Sequence, residues 1–274
     1  MPITEEPLDL FLHRPPARLV ATILFPTGMT ANQLTLVAAV IGVAGGALVG
    51  VGTRAAILAS AALLWLFLIL DCADGELARK QGGGSRLGQV LDGISDYFVA
   101  ISTHIGFLVL AWRTSAFDAV PRWALFAIVG ASGVCQAVHS GLFDAAKTKF
   151  RRGLGRNQSG LESRESLLEE LKQATTFKQR LILRLYIPYV AVQRRAGAPS
   201  EAERAPSQIE FLAWSLLGPT MRMTVIIASV LGVLADPRAL VLYPATGLIA
   251  ANAWMLVMLA WRKGKKVQSP EAKV

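Results

Sequence analysis

Four aspartates stand at regular spacing within a short stretch that apolar segments flank on both sides. Asp71 and Asp74 are three positions apart, and Asp92 and Asp96 are four positions apart. Residues at these spacings lie on one face of a helix, so each pair would present two carboxylates on the same side. Carboxylates that meet between helices repel one another and are costly to desolvate unless a cation lies between them. The spacing therefore predicts a site for divalent metal.

The residues around these acids indicate what the metal would serve. Oxygen-only ligands favour hard cations such as Mg²⁺ or Mn²⁺, which leave positions open for phosphate oxygens. Two such ions roughly 3.5–4 Å apart can polarise a pyrophosphate and stabilise a leaving group. Gly75 and Gly88 lack side chains and would let a nucleotide approach closely, while Arg79 can make a charge-assisted contact to phosphate. We therefore expect phosphoryl transfer at this site.

The composition indicates that these residues lie in a membrane protein. Of the 274 residues, 53% are hydrophobic and only 17% are charged, with a net charge of +9. Several nearly uncharged stretches are long enough to cross roughly 30 Å of hydrocarbon as helices. The fold class expected is an all-α integral membrane protein with six transmembrane helices. We predict these helices at residues 33–51, 55–75, 86–112, 120–145, 211–235 and 239–261.

The distribution of basic residues predicts the orientation of the helices. Lysines and arginines concentrate at helix ends and loops that fall on one side of the membrane, which the positive-inside rule makes cytoplasmic. Both termini and the stretch 71–96 are then cytoplasmic. The residues on this side include Arg14, Arg18, Arg79, Lys80, Arg86, Arg262, Lys263, Lys265 and Lys266, against Arg54, Arg113, Arg122 and Arg238 on the other.

The segments outside the spans also have predicted roles. Residues 8–25 are apolar but interrupted by charge and proline, which predicts an interfacial amphipathic helix rather than a span, and we expect no cleavable signal before it. Residues 146–210 are strongly basic; they either lie partly on anionic headgroups or form a solvated helical hairpin. The predicted divisions are an N-terminal interfacial segment 1–29, spans one to four in 30–145, a basic cytoplasmic insertion 146–210, spans five and six in 211–261, and a basic cytoplasmic tail 262–274.

The stretch 71–96 resembles the signature of the CDP-alcohol phosphotransferases (CDP-alcohol phosphatidyltransferases), DxxDGxxARx8GxxxDxxxD, and every fixed position is occupied. The resemblance implies that Asp71, Asp74, Asp92 and Asp96 bind two Mg²⁺ or Mn²⁺ ions. It further implies that Asp96 is the catalytic base that deprotonates an acceptor hydroxyl. The hydroxyl would attack the phosphorus of a CDP-linked substrate, and CMP would leave.

The same resemblance implies a nucleotide site beside the aspartates. Its residues would be Gly75, Ala78, Arg79, Ser85 and Gly88. Many members also carry Thr-Pro-Asn at the start of the first span; here the sequence has Thr30, Ala31 and Asn32, followed by Gln33. We carry over Asn32 and Gln33 as nucleotide-binding residues, although alanine replaces the proline.

The resemblance leaves the acceptor alcohol open. Members with phosphorylated acceptors hold the phosphate with basic residues near the cytoplasmic ends of later helices, and Lys147, Lys149 and Arg222 are candidates here, with His139 nearby on the fourth span. Each has a structural alternative, since lysines can mark the cytoplasmic side and polar residues often bond between helices. We expect His104 and Gln136 to form interhelical hydrogen bonds.

Several functional alternatives follow from the same residues. The favoured reaction moves a phosphatidyl group from CDP-diacylglycerol to a small polar alcohol in a bacterial inner membrane. A second arrangement has CDP-choline or CDP-ethanolamine donating to diacylglycerol, and a third possibility is a cation transporter with an acidic site or a scaffold without activity. The expected partners are membrane lipids, the two substrates and, from the family resemblance, a second copy in a homodimer; no nucleic acid is expected.

Overall fold

The structure, a computed structural model, describes residues 3–155, 164–197 and 205–267. Helices and connecting turns account for the described part of the chain, which contains no strand. Short π-helical or 3₁₀ turns at Asp9–His13, Phe25–Thr27, Ser115–Phe117, Pro237–Val241 and Thr246–Ala250 lead into or link the helices. The α-helices are α1 (Arg14–Leu24), α2 (Ala31–Val49), α3 (Arg54–Lys80), α4 (Arg86–Arg113), α5 (Arg122–Gly153), α6 (Arg164–Gln173), α7 (Phe177–Gly197), α8 (Gln208–Ser215), α9 (Pro219–Gly232), α10 (Leu242–Ala245) and α11 (Ala251–Val267).

Six segments in the described part of the chain are long and apolar enough to cross a membrane, as predicted. Four of them are single helices, α2 to α5, whereas the fifth and sixth are each assembled from shorter pieces. The six segments are Ala31–Val49, Arg54–Lys80, Arg86–Arg113, Arg122–Gly153, Gln208–Gly232 and Pro237–Arg262. The all-α membrane fold is therefore confirmed.

Two helices extend beyond their predicted ends on the side that carries the aspartates. We placed the end of the second span at residue 75, but α3 continues to Lys80 and stops where Gly82 and Gly83 adopt positive φ angles of 96° and 125°. We placed the end of the fourth span at residue 145, but α5 runs to Gly153. Hydropathy falls after residue 75 in α3 and after residue 145 in α5. Neither stretch contains a proline that would break the helix, so α3 continues almost to Gly82 and α5 continues to Gly153.

The fifth span is interrupted where α8 gives way to α9. Gly218 is the N-cap of α9 and Pro219 its first residue, so one of the orphan N–H groups at this helix start is removed by the proline. Glu6 accepts hydrogen bonds from the next two, the N–H groups of Thr220 (3.5 Å) and Met221 (3.3 Å). The N-terminal segment thus caps a helix start inside the fifth span.

The predicted interfacial helix at residues 8–25 is present as α1 with its flanking turns. Its inner side packs on α3, where Ala17 and Ala21 are completely buried. Its outer side carries Leu19 and Ile23, which are 63% and 59% exposed. This separation of a buried from an exposed apolar side is what an amphipathic helix at a membrane surface requires.

Helices α2 and α4 approach so closely that their backbones are nearly in contact. A Cβ atom on Gly46 would lie 2.6 Å from the backbone nitrogen of Thr103, and one on Gly42 would lie 2.5 Å from the side chain of Val99. Small residues at a membrane helix interface permit such close packing. Because α3 also packs on α2, the three helices form one body that positions the two pairs of aspartates.

Burial of Glu6 has a consequence for the pH dependence of stability. Burial, with the negative charge of Asp9 nearby, raises the pKa of Glu6 to about 8, against the opposing effects of Lys147 and of the two N–H groups it caps. Glu6 is therefore protonated in the folded chain over a range in which it ionises in the unfolded chain. The resulting stabilisation is present at pH 4 and is lost as the pH rises towards 8.

We expect the melting temperature of the detergent-solubilised protein to fall between pH 5 and 8.5, and Glu6→Gln to make that fall smaller. The pKa difference corresponds to at most about 5 kcal/mol. Differential scanning fluorimetry across this range measures it. The matched control is Glu165→Gln, which changes an exposed acid on α6. An unchanged pH profile in Glu6→Gln would contradict the assignment.

Candidate active site

The structure brings three of the four predicted aspartates together. Asp71 and Asp74 lie near the end of α3 and Asp92 lies in the second turn of α4, so the two helices meet at the end where the QGGGS turn joins them. One carboxylate oxygen from each of the three lies within 4.8 Å of the other two. We call these three residues the aspartate cluster.

The fourth aspartate lies beside the cluster. Asp96 stands one turn further along α4, outside the 4.8 Å group, and close enough to Asp71 for their charges to interact. The side chains of Asp92 and Asp96 are exposed, whereas Asp74 is 8% exposed and accepts a 2.5 Å hydrogen bond from the hydroxyl of Thr35 on α2. The site thus has a fixed inner side on α3 and an open side on α4.

The cluster fits a divalent cation. Its donors are carboxylate oxygens, the ligands that Mg²⁺ and Mn²⁺ prefer. Among the residues that the structure describes, no lysine, arginine or histidine forms an ion pair with any of the four aspartates. Three like charges at this separation are stabilised by a shared cation. An Asp cluster suited to a divalent metal is therefore present, as predicted.

The predicted nucleotide residues at the start of α4 lie against the start of α2. Ser85 caps α4 by accepting a 2.9 Å hydrogen bond from the N–H of Gly88. A Cβ atom on Gly88 would lie 2.8 Å from Oδ1 of Asn32, so the absence of a side chain is what leaves room for that amide. Asn32, Ser85 and Gly88 thus form one wall beside the aspartate cluster.

The side chain of Gln33 has a structural role that competes with nucleotide binding. Its Oε1 accepts a 2.9 Å hydrogen bond from the N–H of Thr30, while the hydroxyl of Thr30 accepts from the N–H of Gln33. This reciprocal pair is a capping box at the start of α2. Gln33 therefore holds the helix start beside Asn32.

The turn between α3 and α4 is also bonded to the start of α2. Gln81 donates to the carbonyl of Met29 at 2.7 Å and accepts from the N–H of Ala31 at 3.2 Å. Because Gln81 follows α3 directly, these two bonds fix the end of α3 relative to the residues before Asn32. Neither the signature nor the residue spacing predicts this role of Gln81.

Arg79 is held at the edge of the site by an acid within the signature. Its Nη2 lies 3.1 Å from Oε1 of Glu76, and the same oxygen accepts from Nη1 of Arg14 on α1 at 2.6 Å. Arg14 in turn pairs with Glu5. Just over half of the Arg79 side chain is exposed, which leaves the guanidinium accessible to a phosphate. Gly75 and Ala78 lie partly exposed on the preceding turn.

The four acceptor candidates do not form one pocket. Lys147 lies close enough to Asp92 and Glu6 for their charges to interact, and its ammonium stands 5.6 Å from the ring centre of Phe143. Lys149 is two positions further along α5 and so projects from a different face, where it is 9% exposed. The structure therefore places Lys147 nearer to the aspartates.

His139 and Arg222 bond to each other in the interior. Nη2 of Arg222 donates to Nδ1 of His139, and Nε2 of His139 then donates to Oδ1 of Asn252 at 2.9 Å. His139 shares the α5 face of Lys147 but stands two turns away from it. Both side chains are buried, with exposures of 0% and 7%. These two hydrogen bonds join α5, α9 and α11.

The other predicted interhelical bonds are present. Oη of Tyr243 lies 2.7 Å from Nε2 of His104 and 2.7 Å from Oε1 of Gln136. The hydroxyl of Tyr243 donates to Gln136, and His104 donates through Nδ1 to the carbonyl of Ala100 at 2.6 Å. His104 and Gln136 therefore connect α4 and α5 to α10, as we predicted.

Sequence reasoning missed three residues that shape the site. Thr35 on α2 orients Asp74 by a hydrogen bond. Glu76 forms ion pairs with arginines of both α1 and α3. Asp144 on α5 lies close enough to Asp92 and Asp96 for their charges to interact. Thr35 stands one turn after Asn32 on α2, a spacing that places both on one face. That spacing could have identified Thr35, whereas Asp144 depends on how α5 packs.

Comparison with known families identifies the family of this chain. The family model described as CDP-alcohol phosphatidyltransferase matches residues 28–187, more than half of the chain. The chain belongs to the CDP-alcohol phosphatidyltransferase family. The match covers α2 to α5, all eight signature positions, and most of the α6–α7 region. The six apolar spans and the aspartate cluster both lie in this chain, and the family match includes the cluster.

Curated relatives in this phosphatidyltransferase family are bacterial. Phosphatidylinositol phosphate synthase of Mycobacterium tuberculosis is 35% identical over 93 residues, which are 34% of this chain and 41% of the relative. The enzyme of the same name from Corynebacterium glutamicum is 39% identical over 131 residues, or 46% of this chain and 56% of the relative. The chain thus matches about half of the length of these relatives.

One solved structure is also similar to this chain. It is the crystal structure of Mycobacterium tuberculosis phosphatidylinositol phosphate synthase with CDP-DAG bound. The sequence identity is 23% and the TM-score 0.36, with 70% of this chain and 98% of the other chain covered.

The contact between Gly88 and Asn32 allows a test of the predicted nucleotide role of the wall formed by Asn32, Ser85 and Gly88. Gly88→Ala would place a methyl group against Oδ1 of Asn32 and displace that side chain. We expect the KM for the CDP-linked substrate to rise about tenfold, roughly 1.4 kcal/mol, with a nearly unchanged melting temperature. Steady-state kinetics measure the change. The control is Gly84→Ala in the same turn, where a Cβ atom meets nothing within 4 Å; equal KM values for the two variants would contradict the role of Asn32.

Proposed function

We propose that this enzyme transfers the phosphatidyl group of CDP-diacylglycerol to a phosphorylated polyol and releases CMP. The observation that carries the proposal is the aspartate cluster, with carboxylate oxygens of Asp71, Asp74 and Asp92 within 4.8 Å beside the wall formed by Asn32, Ser85 and Gly88. The names of the relatives support a phosphorylated inositol as the first acceptor to test.

Asp71, Asp74, Asp92 and Asp96 would hold two divalent ions, Mg²⁺ or Mn²⁺. When bound, these ions stabilise the negative charge of the pyrophosphate and of the departing phosphate. Thr35 fixes the carboxylate of Asp74 by its 2.5 Å hydrogen bond, so this ligand is oriented before metal arrives. The exposed side chains of Asp92 and Asp96 leave the other side accessible to substrate.

The chain's own residues would act on the reacting groups in a defined order. Asn32 and the backbone at Gly88 line the cytidine site, and Arg79 contacts a phosphate oxygen. Asp96 takes the proton from the acceptor hydroxyl, and the acceptor oxygen attacks the phosphorus that carries diacylglycerol. The bond from that phosphorus to the bridging oxygen breaks, and CMP departs with that oxygen.

Lys147 would bind the phosphate of the acceptor. It lies on the site side of α5, near Asp92, and an ammonium there can attract an anionic acceptor towards Asp96. Arg222 and His139 are bonded to each other and would support the deep end of this region. Lys149, on another face of α5, would serve the structure of the helix end.

The reaction is proposed to take place at the cytoplasmic face of a bacterial inner membrane. The basic residues at the ends of the spans support this orientation through the positive-inside rule, since Lys80 and Arg86 flank the turn at the aspartate end. We further propose a homodimer, which the family resemblance supports.

One assay tests the proposed function. Purified enzyme in detergent with Mg²⁺ and CDP-diacylglycerol is given inositol phosphate, glycerol phosphate, inositol or serine, and CMP release is measured. We expect release with the phosphorylated acceptors and a several-fold higher KM for them in Lys147→Gln than in Lys149→Gln. Release with inositol or serine alone would contradict the acceptor assignment. Release only from CDP-choline with diacylglycerol would contradict the donor assignment.

A further inference from the structure

The hairpin of α6 and α7 is fastened to the start of α4 by its inner side. Nη1 of Arg86 lies 2.6 Å from Oε1 of Glu170, and the hydroxyl of Tyr186 donates to Oε1 of Gln89 at 3.1 Å. An apolar cluster surrounds these bonds, formed by Val90, Leu167, Ala174, Leu183, Tyr186 and Ile187. The hairpin therefore sits at the end of α4 that carries Asp92, where this span reaches the membrane surface.

A different face of α7 points away from this contact. Phe177 is 82% exposed and Leu181 is 46% exposed, and the arginines at positions 180 and 184 are also exposed. These four residues follow the i, i+3, i+4, i+7 spacing and so lie on one face of the helix. We call Phe177, Arg180, Leu181 and Arg184 the outer face of α7.

We propose that the outer face of α7 binds the anionic headgroup region of the membrane that the spans cross. The apolar side chains would enter the boundary between headgroups and acyl chains, and the guanidinium groups would contact lipid phosphates. Each basic residue near an anionic surface is attracted to it. The chemistry of the partner is therefore that of an anionic phospholipid surface, which the adjacent spans already place within reach.

The charge on α6 supports this choice of partner. Glu165 and Glu169 are exposed on α6, where an anionic surface would repel them, whereas the outer face of α7 carries only basic and apolar side chains. The hairpin thus has one side suited to lipid and one side suited to water. This difference favours the headgroup position over a fully solvated hairpin, the two alternatives that the sequence left open, and it does not depend on the proposed reaction.

The position of the outer face can be measured with a fluorescent label. Phe177→Cys is labelled with NBD in nanodiscs of phosphatidylcholine and phosphatidylglycerol, and quenching by brominated lipids is recorded. Lys172→Cys on α6, an exposed position, is the matched control. The unsubstituted chain, labelled in parallel, corrects for Cys72 and Cys135. We expect about threefold more quenching at position 177 than at position 172.

The charge contribution is tested by a second pair of variants. In the Phe177→Cys background, Arg180→Gln with Arg184→Gln should reduce quenching in anionic nanodiscs to the level seen in phosphatidylcholine alone. Lys172→Gln in the same background should leave it unchanged. Equal quenching at positions 177 and 172 would overturn the proposal. So would a blue-shifted label at 177 without quenching by lipid, because a protein surface, such as a second copy, would then cover the face.

Discussion

Asp96→Asn is expected to lower kcat by about 10²–10⁴-fold while lowering Mn²⁺ affinity much less than a change within the aspartate cluster does. The amide cannot accept the proton of the acceptor hydroxyl, but it keeps the size of the carboxylate and one oxygen donor. Asp96 stands outside the group of three carboxylates that lie within 4.8 Å, so the cluster retains its ligands in this variant. CMP release gives kcat, and electron paramagnetic resonance titration gives the affinity for Mn²⁺.

Two further variants make the test of Asp96 specific. Asp118→Asn changes an exposed acid at the other end of α4 and should have full activity. Asp144→Asn removes a carboxylate outside the signature whose charge acts on Asp96, and we expect a smaller loss than in Asp96→Asn. A near-normal rate in Asp96→Asn, or a larger loss in Asp144→Asn, would contradict the assignment of Asp96 as the base.

Asp71→Asn is expected to have opposite effects on stability with and without metal. Asp71 is central among the acids, since the charges of Asp74, Asp92 and Asp96 all act on it. Its removal relieves repulsion, so the metal-free variant should melt at a higher temperature than the metal-free wild type. The same change removes a metal ligand, so affinity for Mn²⁺ should fall by about 100-fold and activity should be lost.

Thermal melts with and without Mn²⁺ measure both effects at once. At a metal concentration about 100 times the dissociation constant, binding stabilises the wild type by about 2.7 kcal/mol. That increment should fall to about 0.4 kcal/mol in Asp71→Asn and be fully present in Asp118→Asn. If Mn²⁺ stabilised Asp71→Asn as much as the wild type, the aspartate cluster would not be the metal site.

The parts of the site that sequence predicted are those set by helical periodicity. The spacings of Asp71, Asp74 and Asp92 determine which helix faces they occupy, and a short turn forces the two helices together, so their meeting could be predicted without a structure. The six spans follow from hydropathy for a similar local reason. The break at Gly218 and Pro219 also had a local signal, because proline is typical of a first helical position.

What the sequence did not predict depends on contacts between distant segments. Thr35 bonds to Asp74 because of the register at which α2 and α3 pack. His139 bonds to Arg222 because α5 and α9 cross at that point. Each residue has several possible partners of the right chemistry. Periodicity gives the face of a helix but not the neighbour opposite it.

The cap that Glu6 places on α9 also sets an order of assembly. The two groups are separated by 214 residues, so the start of α9 is synthesised long after the acid that will cap it. Until the chain reaches that point, the N-terminal segment has no partner in the fifth span, and closing so large a loop is slow. The contact between the N-terminal segment and the fifth span therefore forms late and completes the bundle around the aspartates. If the first residues were deleted, the last spans would still insert, but the start of α9 would lack its cap.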